Sequence, residues 1–86
     1  MKKYSELNAA AQQLIDSAIT AAINSYSHKE RKEYKLMNRY AGEKDAFLHA
    51  AAIAENADEP QYGETYGIYC DRFIERHGES LFTKAA

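Results

Sequence analysis

An apolar residue recurs at every fourth position from Leu7 through Ala11, Ile15 and Ile19 to Ile23. Leu14, Ala18, Ala22 and Tyr26 fall on the same side. A four-residue step keeps an apolar stripe on one face of an α-helix, whereas a strand needs strict alternation. The spacing predicts an amphipathic helix over about 5–26, with Ser5 as its N-cap. Ala9–Ala11 and Ala21–Ala22 add helix propensity and let a second helix come close.

The partners for that stripe are few. Of the apolar residues fifteen are Ala and seven are Tyr; Val and Trp are absent, and Ile, Leu and Phe together number fourteen. So thin a core in 86 residues fits one small domain spanning 1–86. A net charge of only −2, together with the periodicity, argues for a folded chain rather than a disordered one.

Three further helices are expected. Ser27-His28-Lys29-Glu30 matches a capping box, which places a helix start at Ser27 after a turn at Asn24–Ser27. Gly42 stands where a C′ glycine would end it, giving a helix over about 27–41. The third covers about 43–57, with Glu43 and Asp45 in its first turn and Pro60 just beyond its end. Phe47, Leu48, Ala50–Ala52, Ile53 and Ala54 make it apolar nearly all round, the pattern of a buried helix. A loop over about 56–65 leads to the last helix, about 64–77, which Gly78 ends as a second C′ stop. Leu81 and Phe82 are placed to fold back on Phe73 or Ile74, ahead of a frayed tail at 83–86. The fold expected is all-α, a small compact bundle of about four helices with short connections.

Several functions are excluded or disfavoured. Cys70 is the only cysteine, so no internal disulfide and no Cys₂His₂ or Cys₄ zinc site can form. A domain this small without disulfides points to a reducing cytoplasm. No stretch approaches the apolar length of a membrane span. Met1-Lys2-Lys3 is followed by polar and charged residues rather than an apolar segment, so no signal peptide is expected.

His28, His49 and His77 fall on three different predicted helices, and Cys70 and His77 are two turns apart. Packing of Cys70, and favourable contact of His77 with the C-terminal helix dipole, account for them without a metal. The spaced pairs Glu55/Glu59 and Asp71/Glu75 read as solvated faces. Gly-rich phosphate loops, nucleophile elbows and His-Glu-x-x-His are absent from the sequence. Neither an enzyme nor a cofactor is expected.

Two binding signals remain. Tyr62, Tyr66 and Tyr69 crowd the loop and the start of the last helix, and tyrosine supplies large, rigid contact area at interfaces. With the nearby Glu59 and Glu64 they form the first candidate surface, for another protein. Asp58, Glu59 and Glu64 could also present carboxylates to a basic partner in place of phosphates. The Ile15/Ile19/Ile23 stripe could instead bury itself against a second copy, as in dimeric bundles. The alternative surface is basic: Lys29, Arg31, Lys32, Lys35 and Arg39 fall in one predicted helix, with Lys32, Lys35 and Arg39 on one face for nucleic acid. Glu30 and Glu33 interleave, and the rest of the chain is acidic, which favours the protein partner.

No family motif is present. In size, mixed charge, lone cysteine and lack of catalytic motifs the chain is similar to the small accessory proteins of phages, plasmids and other mobile elements. Some of these inhibit larger nucleoprotein machines, so the resemblance implies a small inhibitor or adaptor.

Overall fold

A computed structural model describes residues 2–85, which are helical along most of their length with no strand among them. A 3₁₀ turn at Tyr4–Glu6 precedes α1 (Ala9–Glu30), α2 (Tyr34–Glu55), α3 (Tyr62–His77) and α4 (Glu79–Ala85). The expected all-α four-helix bundle is therefore present. Its helices divide the sequence differently from the expected ranges.

The first difference is at Ser27. No Gly or Pro interrupts the chain there, so α1 runs straight through the apparent capping box to Glu30. The turn comes at Arg31–Glu33 instead. The Glu33 N–H donates to the His28 carbonyl (2.9 Å) and the Lys32 N–H to the Lys29 carbonyl (3.0 Å). This double closure is a Schellman motif, which needs a left-handed residue at its C′ position. Lys32 takes that role at φ 58°, a conformation normally left to glycine.

The second difference is at Gly42, which sits inside α2. The predicted helices over 27–41 and 43–57 are thus largely one 22-residue helix. A glycine lowers helix stability without blocking the helical hydrogen bonds, and packing against α1 carries α2 across it. Ser5 lies in the 3₁₀ turn, and the α1 cap is Asn8, whose Oδ1 accepts from the Ala11 N–H at 2.9 Å. The segment expected to fray forms α4 as far as Ala85; Ala86 lies outside the described residues.

α1 and α2 form an antiparallel hairpin, latched at its open end. Asn8 Nδ2 donates to the Ala54 carbonyl (2.9 Å), and the Glu55 carboxylate accepts from the Asn8 N–H (2.9 Å) and the Lys2 ammonium. Near the turn, the buried Ser25 hydroxyl donates to the Met37 carbonyl at 2.9 Å. α3 and α4 cover one side of this hairpin. The core joins Ile15, Ile19 and the alanines of α1 to Leu48 and Ala51 of α2 and to Ile68, Tyr69 and Phe73 of α3. Phe82 meets Phe73 edge-on at 5.4 Å, the expected fold-back across Gly78. Ile15 and Ile19 are fully buried within the chain, and Ile23 is partly buried against the same core.

Candidate functional site

An exposed apolar surface spans α2 and α3. His49 and Ile53 lie one turn apart on α2, and Tyr62 and Tyr66 one turn apart on α3. The His49 and Tyr62 rings stack at 4.5 Å with 29° between their planes, which joins the two pairs across the helix seam. Ile53, Tyr62 and Tyr66 are 45, 44 and 47% exposed, three of the five exposed large apolar side chains among the described residues. Tyr66 also packs against Tyr69 at 5.7 Å, and the two side chains meet at a tilt. Partial burial and the neighbouring Cys70 push the Tyr66 hydroxyl above the usual phenol range.

The sequence-based site divides at this point. Tyr62 and Tyr66 share the exposed face, but Tyr69 is 2% exposed and stands edge-on to Phe73 at 6.1 Å in the core. It lies on the inward side of α3, so it supports the face without belonging to it. Glu64 points to the opposite flank of α3, where its carboxylate accepts from the Lys2 N–H at 2.8 Å. Glu59 and Asp58 are exposed in the loop, with the Glu59 N–H donating to Asn56 Oδ1 at 3.2 Å. The three carboxylates therefore do not converge with the tyrosines.

His49 and Ile53 were not among the expected site residues. The run around them predicts a helix buried all round, yet only Leu48, Ala51 and Ala52 of α2 are buried. α1 and α3 cover two sides of α2 and leave the flank bearing His49 and Ile53 open. The available signal was the i, i+4 spacing of His49 and Ile53, which has meaning only once α3 is placed beside α2.

The basic candidates are also redistributed. Lys35 and Arg39 lie on α2, but Lys32 is in the turn and Lys29 on α1, so the expected single helical face does not exist. The α1–α2 tip gathers them instead. Two acids stand there, Glu30 at the end of α1 and Glu33, and the second is used internally: Glu33 Oε1 accepts from Arg31 Nε at 2.6 Å and lies 3.0 Å from His28 Nδ1. Hydrogen bonds from Arg31 and His28 hold the Glu33 carboxyl below its ordinary range. Arg31 also donates to the Ser27 hydroxyl at 3.1 Å, and His28 stacks on Tyr40 at 5.2 Å. Arg39 Nε approaches Glu43 at 3.8 Å. Among the described residues no carboxylate lies within ion-pair distance of Lys29, Lys32 or Lys35.

A groove of about 380 Å³ runs between the helices, lined by Gln13, Asp16, Thr20, Glu43, Phe47 and Arg76 among others. Its central acid is already engaged: Asp16 accepts from the Tyr4 hydroxyl (2.6 Å), Arg76 (3.4 Å) and Arg72 (3.5 Å). The Arg72 guanidinium also lies 4.0 Å above the Tyr4 ring, which completes a clamp on the N-terminal segment. Among the described residues no three His, Cys, Asp or Glu side chains are grouped to hold a metal. Cys70 is half-buried beside Tyr66, and burial pushes its thiol above the ordinary range, away from a reactive thiolate. Among the described residues no helix is long and apolar enough to cross a membrane. Comparison with protein-family models, with curated proteins and with solved structures returned no match.

Proposed function

We propose that this chain is a non-enzymatic protein-binding module, a small inhibitor or adaptor that docks on a larger protein. The docking face is that of Ile53, His49, Tyr62 and Tyr66. One observation carries the reading: three of the five exposed large apolar side chains among the described residues share one face built from two helices. Rings fixed on helices lose little freedom on binding, and a stacked His49–Tyr62 pair is already ordered before the partner arrives. The phenol hydroxyls supply directional hydrogen bonds at the rim of the apolar contact. A free, poorly reactive Cys70 fits a reducing cytoplasm.

The test is affinity capture from a lysate of the source cells with nuclease present, comparing the parent chain with Ile53→Asp and with Tyr62→Ala/Tyr66→Ala. A stoichiometric partner held by the parent and lost by both variants, with their thermal unfolding unchanged, supports the reading. A partner retained by both variants overturns this face as the site. Light scattering on the purified chain covers the homodimer alternative, in which a second copy occupies the same face.

A further inference from the structure

The α1–α2 tip lies at the other end of the hairpin from that face and has its own chemistry. Residues 23–45 and 77–85 carry seven Lys and Arg against five Asp and Glu, net +2. Residues 2–22 and 46–76 carry four against eight, net −4. The chain is therefore an electric dipole whose positive end is the hairpin tip, and a dipole orients a protein on a polyanion even when its net charge is negative. At that end Glu33 is paired with Arg31 and Glu30 closes α1 beside them, while Lys29, Lys32 and Lys35 have no ion-pair partner among the described residues. Tyr34, the first residue of α2, stands between Lys32 and Lys35 in the chain and is 56% exposed, the most open large apolar side chain described.

The backbone adds an independent observation. The C′ position of the Schellman turn favours glycine, yet Lys32 occupies it at φ 58°. A side chain held in left-handed geometry lowers stability, and such outliers collect at functional sites. Its ammonium projects from the outermost point of the hairpin, where it adds nothing to the core.

We propose that the tip is a contact site for single-stranded nucleic acid, with Lys29, Lys32 and Lys35 meeting phosphates and Tyr34 stacking on a base. Cations give affinity without sequence preference, and a bare ring supplies the stacking platform that single strands accept and duplexes do not. A convex tip with one ring suits an unpaired strand better than the groove of a duplex, which takes a whole helix or ribbon.

The experiment is fluorescence anisotropy of labelled oligothymidylate and oligouridylate titrated with the full chain over a range of salt. Three phosphate contacts predict that log affinity falls against log salt with a slope of about −2. Lys29→Gln/Lys32→Gln/Lys35→Gln should flatten that slope and lose about tenfold or more at low salt. Tyr34→Ala should lose about fivefold or more with the slope retained. Lys32→Gly separates binding from folding, since it should weaken binding while raising the thermal midpoint by about 4 °C or more. Absence of saturable binding at low salt overturns the proposal. So does tighter binding of polyglutamate than of the oligonucleotides, which would make the tip an acidic-protein site. Unchanged affinity of Lys32→Gly would remove the role of that lysine and overturn it as well.

Discussion

α1 and α2 are both 22 residues long and lie side by side, yet α1 buries seven residues and α2 three. The buried residues of α1 run from Ala11 to Ser25, spread along the helix, whereas those of α2 begin at Leu48. α1 is enclosed by α2, α3 and α4, and so acts as the spine of the bundle. α2 is covered on fewer sides, and its first half contributes nothing fully buried. Surface with no packing duty is free to carry function. Both candidate surfaces draw on it: His49 and Ile53 on the open flank, Tyr34 and Lys35 at the tip.

The contrast is broken most directly by truncating large side chains on each element. Ile15→Ala, on the spine, should destabilise by about 2–5 kcal/mol, and Phe73→Ala, where α3 meets it, by about 3–5 kcal/mol. Tyr34→Ala and Leu36→Ala, on the open half of α2, should stay within about 0.5 kcal/mol of the parent. Urea unfolding followed by circular dichroism reads all four. A loss above about 1 kcal/mol at Tyr34 would mean that its ring is packed in solution, and it would then be unavailable for binding.

Asn8→Ala probes the latch between the two helices and should cost about 1–2 kcal/mol. The side chain caps α1 and also donates to the Ala54 carbonyl at the end of α2, so one substitution loosens both helices. Asn8→Asp separates the two contributions. It keeps the capping oxygen and a favourable charge at the helix N-terminus, but sets an anionic oxygen against the Ala54 carbonyl and beside the Glu55 carboxylate. A larger loss than for alanine is therefore expected if the latch outweighs the cap.

What the sequence made legible follows the same division between spine and surface. The stripe from Leu7 to Ile23 was readable because a core-facing helix repeats its apolar residues at helical spacing, and Phe73 with Phe82 was readable from the glycine between them. The hairpin turn was not, because its left-handed position is filled by Lys32 in place of the expected Gly, while Ser27 and Gly42 carry boundary signals inside continuous helices. Tyr62 and Tyr66 were found by residue type alone. Residue type does not set Tyr69 apart from them, since only the angular position of each residue on α3 separates core from face. His49 and Ile53 were invisible for a different reason: their role depends on which helix pair meets, information carried by contacts distant in sequence.

The latch also sets a pH dependence. Hydrogen bonds from the Lys2 ammonium and the Asn8 N–H hold the Glu55 carboxyl below its ordinary range. A carboxyl lowered by folding stabilises fully above its unfolded value, and that contribution is lost as pH falls through the folded value. Lys2 moves the opposite way, raised chiefly by its hydrogen bond to Glu55, so its contribution is full below the ordinary lysine value and lost as alkaline pH passes the folded one. Glu55→Gln should therefore flatten both the acid and the alkaline flank of the stability profile and reduce its sensitivity to salt. An acid flank as steep as the parent's would show that the pair is not formed in solution.

The smallest effect expected tests why α2 tolerates what it does. Gly42 lies mid-helix with an ordinary helical backbone, is exposed, and has no atom within 4 Å of where a Cβ would stand. Gly42→Ala should therefore stabilise by about 0.5–1 kcal/mol, by restricting the unfolded chain and raising helix propensity. Gly78→Ala has the same open space but a φ of 89°, so it should destabilise. Opposite signs from two identical substitutions would place the difference in backbone geometry rather than packing. If Gly42→Ala instead weakens the fold, α2 bends or frays at that point in solution. The 22-residue helix would then resemble the two shorter ones its glycine first implied.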